Sequence, residues 1–425
     1  MGPDVTDPRP EPTSPDADPA LETRPVPPGA LPSDMLPHTV GAEAVGAPPP
    51  VIPGRRRPVL SPLNQRRWRN FRRNTRAVWS LIAFSVLFGL SLFAEFLAND
   101  APLLVSYRGE WRMPIFTFYP ETAFGGDFRT EAIYKDPEVE CLIATGGYEG
   151  CFDEPRELTA RVEAGETVWD DQVKGWAIWP PIRYNYRTIV DIPGAAPSPP
   201  TRDNLLGTDD TKRDVLARVI YGFRLSILFT LVVTGIASVI GIALGAIQGY
   251  LGGWTDLLLQ RFIEIWTSMP SLYIIIILFA ILGRNFWIVV FVTTLFAWPA
   301  LVGVVRAEFL RARNFEYVRA AKALGVTDRT IMFRHILPNA LVATITLLPF
   351  LITGGIGTLA SLDFLGFGLP SSAPSLGELT LQGKQNLQAP WLAFTAFVTF
   401  AVMLSLLVFV FEGIRDAFDP RKTFQ

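Results

Sequence analysis

Six apolar runs, each near the length that crosses a bilayer, constrain this 425-residue chain more than anything else in it. Crossing the hydrocarbon core takes roughly 20 predominantly apolar residues, and the runs fall at 77–97, 225–249, about 266–283, 286–305, about 339–361 and 391–411. A backbone surrounded by lipid must satisfy its own hydrogen bonds, so such runs predict helices. The chain reads as an all-α integral membrane protein with six transmembrane helices. Only 18% of its residues are charged, against about 25% in soluble domains. The third run is the least regular: Arg261, Glu264 and Pro270 near its start predict an amphipathic beginning, a structural charge pair three residues apart, and then a kink.

Charge sorts the connecting segments. Between Arg55 and Arg76 there are nine arginines and no acid, directly before the first run. Basic flanks of a first span stay on the cytoplasmic side. At a membrane helix such a run reads as an anchor and an orientation signal; no nucleic-acid partner is expected. With the N-terminus inside, six spans place 98–224 outside, 250–265 inside, 306–338 inside, 362–390 outside and the C-terminus inside. The balance agrees: 306–338 carries seven Lys or Arg against three acids, and 101–200 carries nine against sixteen. The expected organisation is a disordered Pro-rich cytoplasmic tail at 1–54, the basic segment and first helix at 55–97, an external insert at 98–224, a five-helix core at 225–411 and a cytoplasmic C-terminus at 412–425. Residues 1–53 hold 15 of the 36 prolines, a composition that cannot bury enough surface to fold. No ordinary signal peptide is evident.

The insert is rich in Trp, Tyr, Phe and Pro, and reads as a compact module. Cys141 and Cys151, the only cysteines, both lie in it. A disulfide closing this short loop is the first reading and a redox-active pair the second. Two histidines, His38 and His335, and the absence of His-Glu-x-x-His or Gly-x-Ser-x-Gly leave no metal site or hydrolase nucleophile to propose. The nearest approach to a phosphate loop, Gly377 to Lys384, has five residues between its glycines and is followed by Gln385. No catalytic residue, metal or cofactor is expected on this chain. The centres of spans one, two, four, five and six lack the ionisable residues that mark proton and ion pathways, so the energy for any transport must come from a partner.

The most informative stretch is Tyr317 to Asn339. Residues 315–324 are strong helix formers, Gly325 can adopt the left-handed conformation that ends a helix, and Thr327 or Asp328 can cap the next. Two short helices across a glycine turn are expected, with Pro338 marking the start of the fifth span. Ala320, Ala321 and Ala323 give the first helix a small-residue surface that another protein could approach closely. The bland alternative is an interfacial helix pair lying on lipid headgroups.

Ala320-Ala321, Gly325 and Leu337-Pro338 carry the spacing of the EAA loop, and the segment resembles that loop in permease subunits of binding-protein-dependent ABC importers. It departs at Arg319, where the general pattern has Glu, and at His335, often Ile; both departures resemble the peptide branch. Leu206-Gly-Thr-Asp209, Arg213 to Arg218 and Tyr221 to Ser226 are similar to the block before the second span of dipeptide and oligopeptide permeases of the C type, with Lys212 replacing a usual glycine. Gly249 to Gly253 with Asp256, Phe364 to Gly368 with Pro374 to Gly377, and Arg415 to Pro420 look like further family segments. The resemblance covers 60–425, and the long insert looks like that of the Yej-type microcin C and oligopeptide importers.

That resemblance implies a MetI-like permease core in spans two to six, located in the bacterial inner membrane. It implies a heterodimer with a second permease, ATP-binding cassette subunits that hold ATP and Mg, and a periplasmic substrate-binding protein; residues 101–200 are expected to form part of that protein's dock. It further implies that Tyr317, Arg319, Ala320, Ala321, Leu324, Gly325, Asp328, Arg329, His335 and Pro338 couple the chain to the ATPase. Relatives of this architecture carry nickel or sugars as well as peptides. A secondary transporter, or a protein using the same helices for export or signalling, are the other classes; dependence of uptake on ATP separates the first from them.

Overall fold

The computed structural model describes residues 62–418; the expected tail, the arginines at 55–57 and residues 419–425 lie outside the described residues. Helix α1 (Pro62–Arg73) is short and basic. Asn74 breaks it from α2 (Thr75–Leu92) and caps α2 by accepting from the Ala77 N–H at 3.2 Å. A single turn, α3 (Ala94–Leu97), leads into the insert.

The insert departs from the all-α expectation. Strands β1 (Leu104–Tyr107) and β2 (Glu110–Arg112), helices α4 (Pro137–Thr145) and α5 (Pro155–Glu163), and β3 (Trp176–Ile178) form a small α/β body. The sheet is antiparallel in the order β2-β1-β3, with Ser106 opposite both Trp111 and Trp176. Strands of three or four residues show too little alternation to be read in a sequence. Their register is fixed by the core they cover, built from Val105, Tyr107, Phe124, Tyr134, Val139 and Ile143. Rings pack edge-on around Phe124, with Tyr107, Tyr119 and Tyr134 at 5.4 to 6.3 Å between centroids.

Cys141 on α4 and Cys151 are disulfide-bonded, with Cα atoms 5.6 Å apart, and both are fully buried beside Leu142 and Leu158. Closing a loop of this length restricts the unfolded chain by about 2 to 3 kcal/mol. Replacing both cysteines by serine is therefore expected to speed amide exchange across 137–163 by about 30- to 150-fold in the full chain. Unchanged exchange would show that the helices hold without the bond.

Helix α6 (Val215–Leu251) begins ten residues before the expected core boundary at 225. Hydropathy ends at Leu225 because Arg213, Arg218 and Arg224 precede it, yet each has a partner that lets the helix continue. Arg224 donates from both terminal nitrogens to the two Glu95 oxygens at 2.9 Å. Asp214 caps the helix by accepting from the Ala217 N–H at 2.7 Å. The Tyr221 hydroxyl donates to the Ala98 carbonyl at 2.9 Å, fastening the insert's first residues to α6. Lys212 sits at φ +59°, the left-handed conformation for which a glycine is suited, and its ammonium donates to the Ile192 carbonyl at 2.7 Å.

Beyond α6 the apolar runs are bent. Helices α7 (Gly253–Ser268) and α8 (Ser271–Leu282) meet at 77° across Met269-Pro270, where the kink was expected. Helices α9 (Phe286–Ala297) and α10 (Pro299–Ala312) meet at 41°. After α11 (Glu316–Ala323), α12 (Asp328–Thr330) and a π-helical turn at Ile331–Ile336 come α13 (Leu337–Ile345) and α14 (Leu348–Phe364), with a 53° bend before α14. Pro299 and Pro349 lie in the first turn beyond these last two breaks, where a missing N–H costs nothing. Helices α15 (Leu376–Gln385) and α16 (Pro390–Phe418) complete the described chain. Among the described residues α2, α6 and α16 are long and apolar enough to cross a membrane alone, and up to six spans result if each bent pair is one.

Close packing centres on α6. Gly241, Gly245 and Gly249 form one stripe facing α10, where an added Cβ would lie 2.7, 2.8 and 2.6 Å from the carbonyl oxygens of Trp298, Val302 and Arg306. Spacing by four places all three on one face, so the two backbones approach directly. Toward the insert end, α6 packs through Phe223 and Ile227 against Ile356, Leu379, Leu392 and Met403.

Candidate functional site

The Tyr317–Asn339 segment folds onto the ends of α6 and α10. Val318, Ile331, Ile336 and Ala340 are buried against Ala246, Tyr250, Val305 and Phe309. One face of α11 is thereby anchored and the other is left bare. Its end is a Schellman motif: the Val326 N–H donates to Ala321 O and the Gly325 N–H to Lys322 O, each at 3.1 Å, with Gly325 at φ +78°. The expected glycine turn is present.

The expected side-chain cap of the next helix is not. Thr327 occupies the N-cap position without a capping side-chain bond. Asp328 is instead committed elsewhere, its carboxylate accepting a short hydrogen bond from the Tyr250 hydroxyl at the end of α6. Arg313 lies over the same helix end, 3.4 Å and 3.5 Å from the Gly249 and Tyr250 carbonyl oxygens. Arg306 grips Asp256 of α7 in a two-pronged pair at 2.6 and 2.7 Å. Cations at a helix C-terminus complement its dipole, so the segment is tied to α6, α7 and α10 by charge as well as by packing.

Pro338 explains the π-helical turn. Its ring cannot donate and crowds the carbonyl four residues back, so the ladder widens by one residue and the Leu337 N–H reaches Met332 O. The Asn339 side chain donates to His335 O at 3.3 Å, satisfying another carbonyl of that turn.

The bare face has a distinct chemistry. Leu324 stands 84% exposed at the tip, between exposed Ala320, Ala323 and Gly325. Tyr317 and Phe333 extend the apolar surface, and Arg319, Lys322, Arg329 and Arg334 surround it. Large apolar side chains inside a charged rim are the anatomy of a protein interface. Of the expected residues, Tyr317, Arg319, Ala320, Leu324, Gly325, Arg329, Asp328 and Pro338 are exposed, while Ala321 and His335 are half-buried. Ala321 therefore belongs partly to the packed face. Sequence reasoning missed Phe333, whose direction depends on the π-turn, and Tyr250 and Arg313, whose partners are 78 and 64 residues away.

A second cluster joins the opposite end of α6 to the 364–377 connection. Asp209 accepts from Arg213 Nε at 2.7 Å and from the Arg213 N–H at 2.8 Å, and its carboxylate lies 3.5 Å from Arg218 Nε. Arg213 and Arg218 then donate to the Ser371 and Ala373 carbonyls at 2.9 and 3.1 Å. Asp363 accepts from the Leu369 N–H at 2.7 Å and from the Ser375 hydroxyl. The blocks at 206–226 and 364–377 that stand out in the sequence thus meet at the insert end of α6, joined by the Arg213 and Arg218 bonds to the Ser371 and Ala373 carbonyls. On the insert, burial lowers the Lys135 ammonium to about 8 while it rests on the Tyr184 ring.

Comparison with known proteins agrees with this architecture. Residues 241–424 match the family described as binding-protein-dependent transport system inner membrane component, and residues 61–110 match the N-terminal TM domain of oligopeptide transport permease C. The chain is 52% identical over 395 residues to the peptidoglycan transport system permease protein YejE of Agrobacterium fabrum, covering 87% of this chain and 96% of that one. It is 53% identical over 364 residues to the inner membrane ABC transporter permease protein YejE of Escherichia coli, covering 85% and 98%. Identity to the oligopeptide transport system permease protein OppC of Bacillus subtilis is 32%, over 58% and 81%. With relatives matched over nearly their whole length, the chain belongs to the binding-protein-dependent transport system inner membrane components, as an oligopeptide-type ABC permease.

Proposed function

We propose that this chain forms one side of a pathway that imports peptides or peptide-like solutes across a bacterial inner membrane, driven by ATP hydrolysed on partner subunits. The observation that carries the reading is the rigidly seated Tyr317–Pro338 element with its bare apolar tip, in a chain matched along its length by permeases. The relatives' names supply the substrate class: peptidoglycan transport in one, oligopeptide transport in another.

In this reading α2, α6, α7 with α8, α9 with α10, α12 to α14, and α16 are six spans. The basic run before α2 and the basic 306–338 segment lie in the cytoplasm with both termini, and the acidic insert faces the periplasm, where it receives a substrate-binding protein. A second, related permease covers α7, none of whose residues is buried within this chain and which shows Leu257, Leu258, Phe262 and Ile265 outward. Tyr317, Arg319, Ala320, Leu324, Gly325, Arg329 and Phe333 seat in an ATPase subunit. ATP-driven closure of the ATPase pair moves this element, and the Tyr250, Arg313 and Arg306 contacts pass the motion to α6, α7 and α10. The spans then exchange between outward-open and inward-open states because each state binds the partners differently.

The test is uptake of a labelled oligopeptide by cells carrying the full system. Uptake is expected to stop when ATP is depleted with the proton gradient intact, and to continue when the gradient is collapsed with ATP present. The reverse pattern would overturn the reading.

A further inference from the structure

Where α1 meets α2 and α16 there is an open apolar groove of about 420 Å³, within the size range of ligand sites. Its walls are Trp68 and Phe71 of α1, Leu81 of α2, and Val410 and Ile414 of α16, and Arg67 closes one end. The groove is built, not left over: Gly413 brings α16 against Ala77 and Phe71, and the Arg67 guanidinium lies 4.3 Å from the centre of the Phe418 ring. Leu81 is six residues inside α2 and Val410 eight residues before the end of α16, so the groove runs roughly 9 to 12 Å along the helices from their shared end. That is the depth of the outer half of one leaflet.

The mouth is predominantly basic: its α1 side carries arginines alone, and α16 adds Glu412, Arg415 and Asp416 near the same end. Arg66, Arg69, Arg72, Arg73 and Arg76 are all exposed, no acid occurs between residues 62 and 76, and none of these arginines makes an ion pair among the described residues. An apolar slot that opens along two membrane-crossing helices, beneath a helix whose only charges are arginines, matches a molecule with a long hydrocarbon chain and an anionic head. We infer that this groove binds one anionic phospholipid, an acyl chain lying along Leu81, Ile414 and Val410 and its phosphate held by the arginines of α1. The lipid would fix α1 in the interface and clamp the cytoplasmic end of α2 to α16. The inference rests on α2 and α16 being spans, and its readout is lipid binding, so a failure of peptide uptake leaves it standing.

The full chain, purified with its partner subunits, is titrated with dioleoylphosphatidylglycerol, with dioleoylphosphatidylcholine and with glycerol 3-phosphate, and bound lipid is counted by native mass spectrometry. One phosphatidylglycerol per chain is expected at about a tenth of the phosphatidylcholine concentration, since each basic residue near the surface adds several-fold. Arg66→Gln, Arg69→Gln and Arg73→Gln together should bring it to the phosphatidylcholine level. Ile414→Trp and, separately, Leu81→Trp should fill the groove and remove the lipid, with the thermal midpoint reporting that each variant folds. Equal retention of the two lipids would overturn the inference. So would glycerol 3-phosphate competing as well as the lipid, retention by both tryptophan variants, or binding that appears only after residues 1–54 are deleted, which would make that segment the occupant.

Discussion

Gly245→Leu is expected to leave almost no folded protein in the membrane, while Gly235→Leu, ten residues earlier on the same helix, yields wild-type amounts. Both glycines lie well inside α6, so helix propensity gains equally in each variant and cannot separate them. Space does. A Cβ on Gly245 would sit 2.8 Å from the Val302 carbonyl oxygen and 2.9 Å from the Val305 Cβ, and backbone cannot rotate away as a side chain can. A Cβ on Gly235 meets nothing within 4 Å. Leucine at 245 must push α10 off α6, at about 3 kcal/mol or more, the upper end of overpacking, and it would break the neighbouring contacts at Gly241 and Gly249 together. Displacement of α10 also draws Arg306 from Asp256 and Arg313 from the α6 terminus. Extractable, monodisperse protein and its thermal midpoint are the measurements; equal yields from the two variants would mean that the α6–α10 approach does not hold the fold.

How far the sequence discloses this arrangement depends on the range of the interaction. The apolar runs locate α2, α6, α8, α9, α10, α13, α14 and α16, because twenty apolar residues have few alternatives in lipid, whereas α7 and α15 fall in segments expected to be connections. The Pro270 kink and the Gly325 turn are legible because a single residue dictates each. The start of α6 at Val215 is not, since Arg213, Arg218 and Arg224 look like a boundary until Asp209 is seen to pair with the first two and Glu95 with the third. The breaks before α10 and α14 were signalled by Pro299 and Pro349 but hidden in continuous hydropathy. The spacing of Gly241, Gly245 and Gly249 was also there to be read as a close-approach stripe. The insert's sheet lacked any local signal strong enough to oppose an all-α reading. At the candidate site, the turn and the small residues were visible, while the bond from Tyr250 to Asp328 could not be, because nothing local pairs residues 78 positions apart.

Leu324→Asp is expected to uncouple the transporter without unfolding it, and the reason lies in how little Leu324 touches within its own chain. At 84% exposure it contributes almost nothing to the packing of α11, so its replacement should cost stability within about 0.5 kcal/mol. In a partner's groove the same side chain is the central apolar anchor of a surface rimmed by Arg319, Lys322 and Arg329, and a carboxylate there would be buried without its water. Central anchors of this kind carry about 2 kcal/mol or more, so association with the ATPase should weaken about 30-fold or more, and substrate-stimulated hydrolysis should fall with it. Gly325→Leu tests the same interface by geometry. A Cβ there meets nothing within 4 Å, yet φ +78° strains any non-glycine residue by about 1 to 2 kcal/mol. The strain is relieved by unwinding the Schellman turn, which moves Leu324 relative to the anchored Val318 and Ile331. The glycine variant should therefore remain in the membrane and lose coupling less completely than the aspartate one. Co-purification with the ATPase and hydrolysis in reconstituted vesicles read both. If Leu324→Asp binds and stimulates as wild type does, the bare tip is not the docking surface, and the segment is only an interfacial helix pair resting on lipid headgroups.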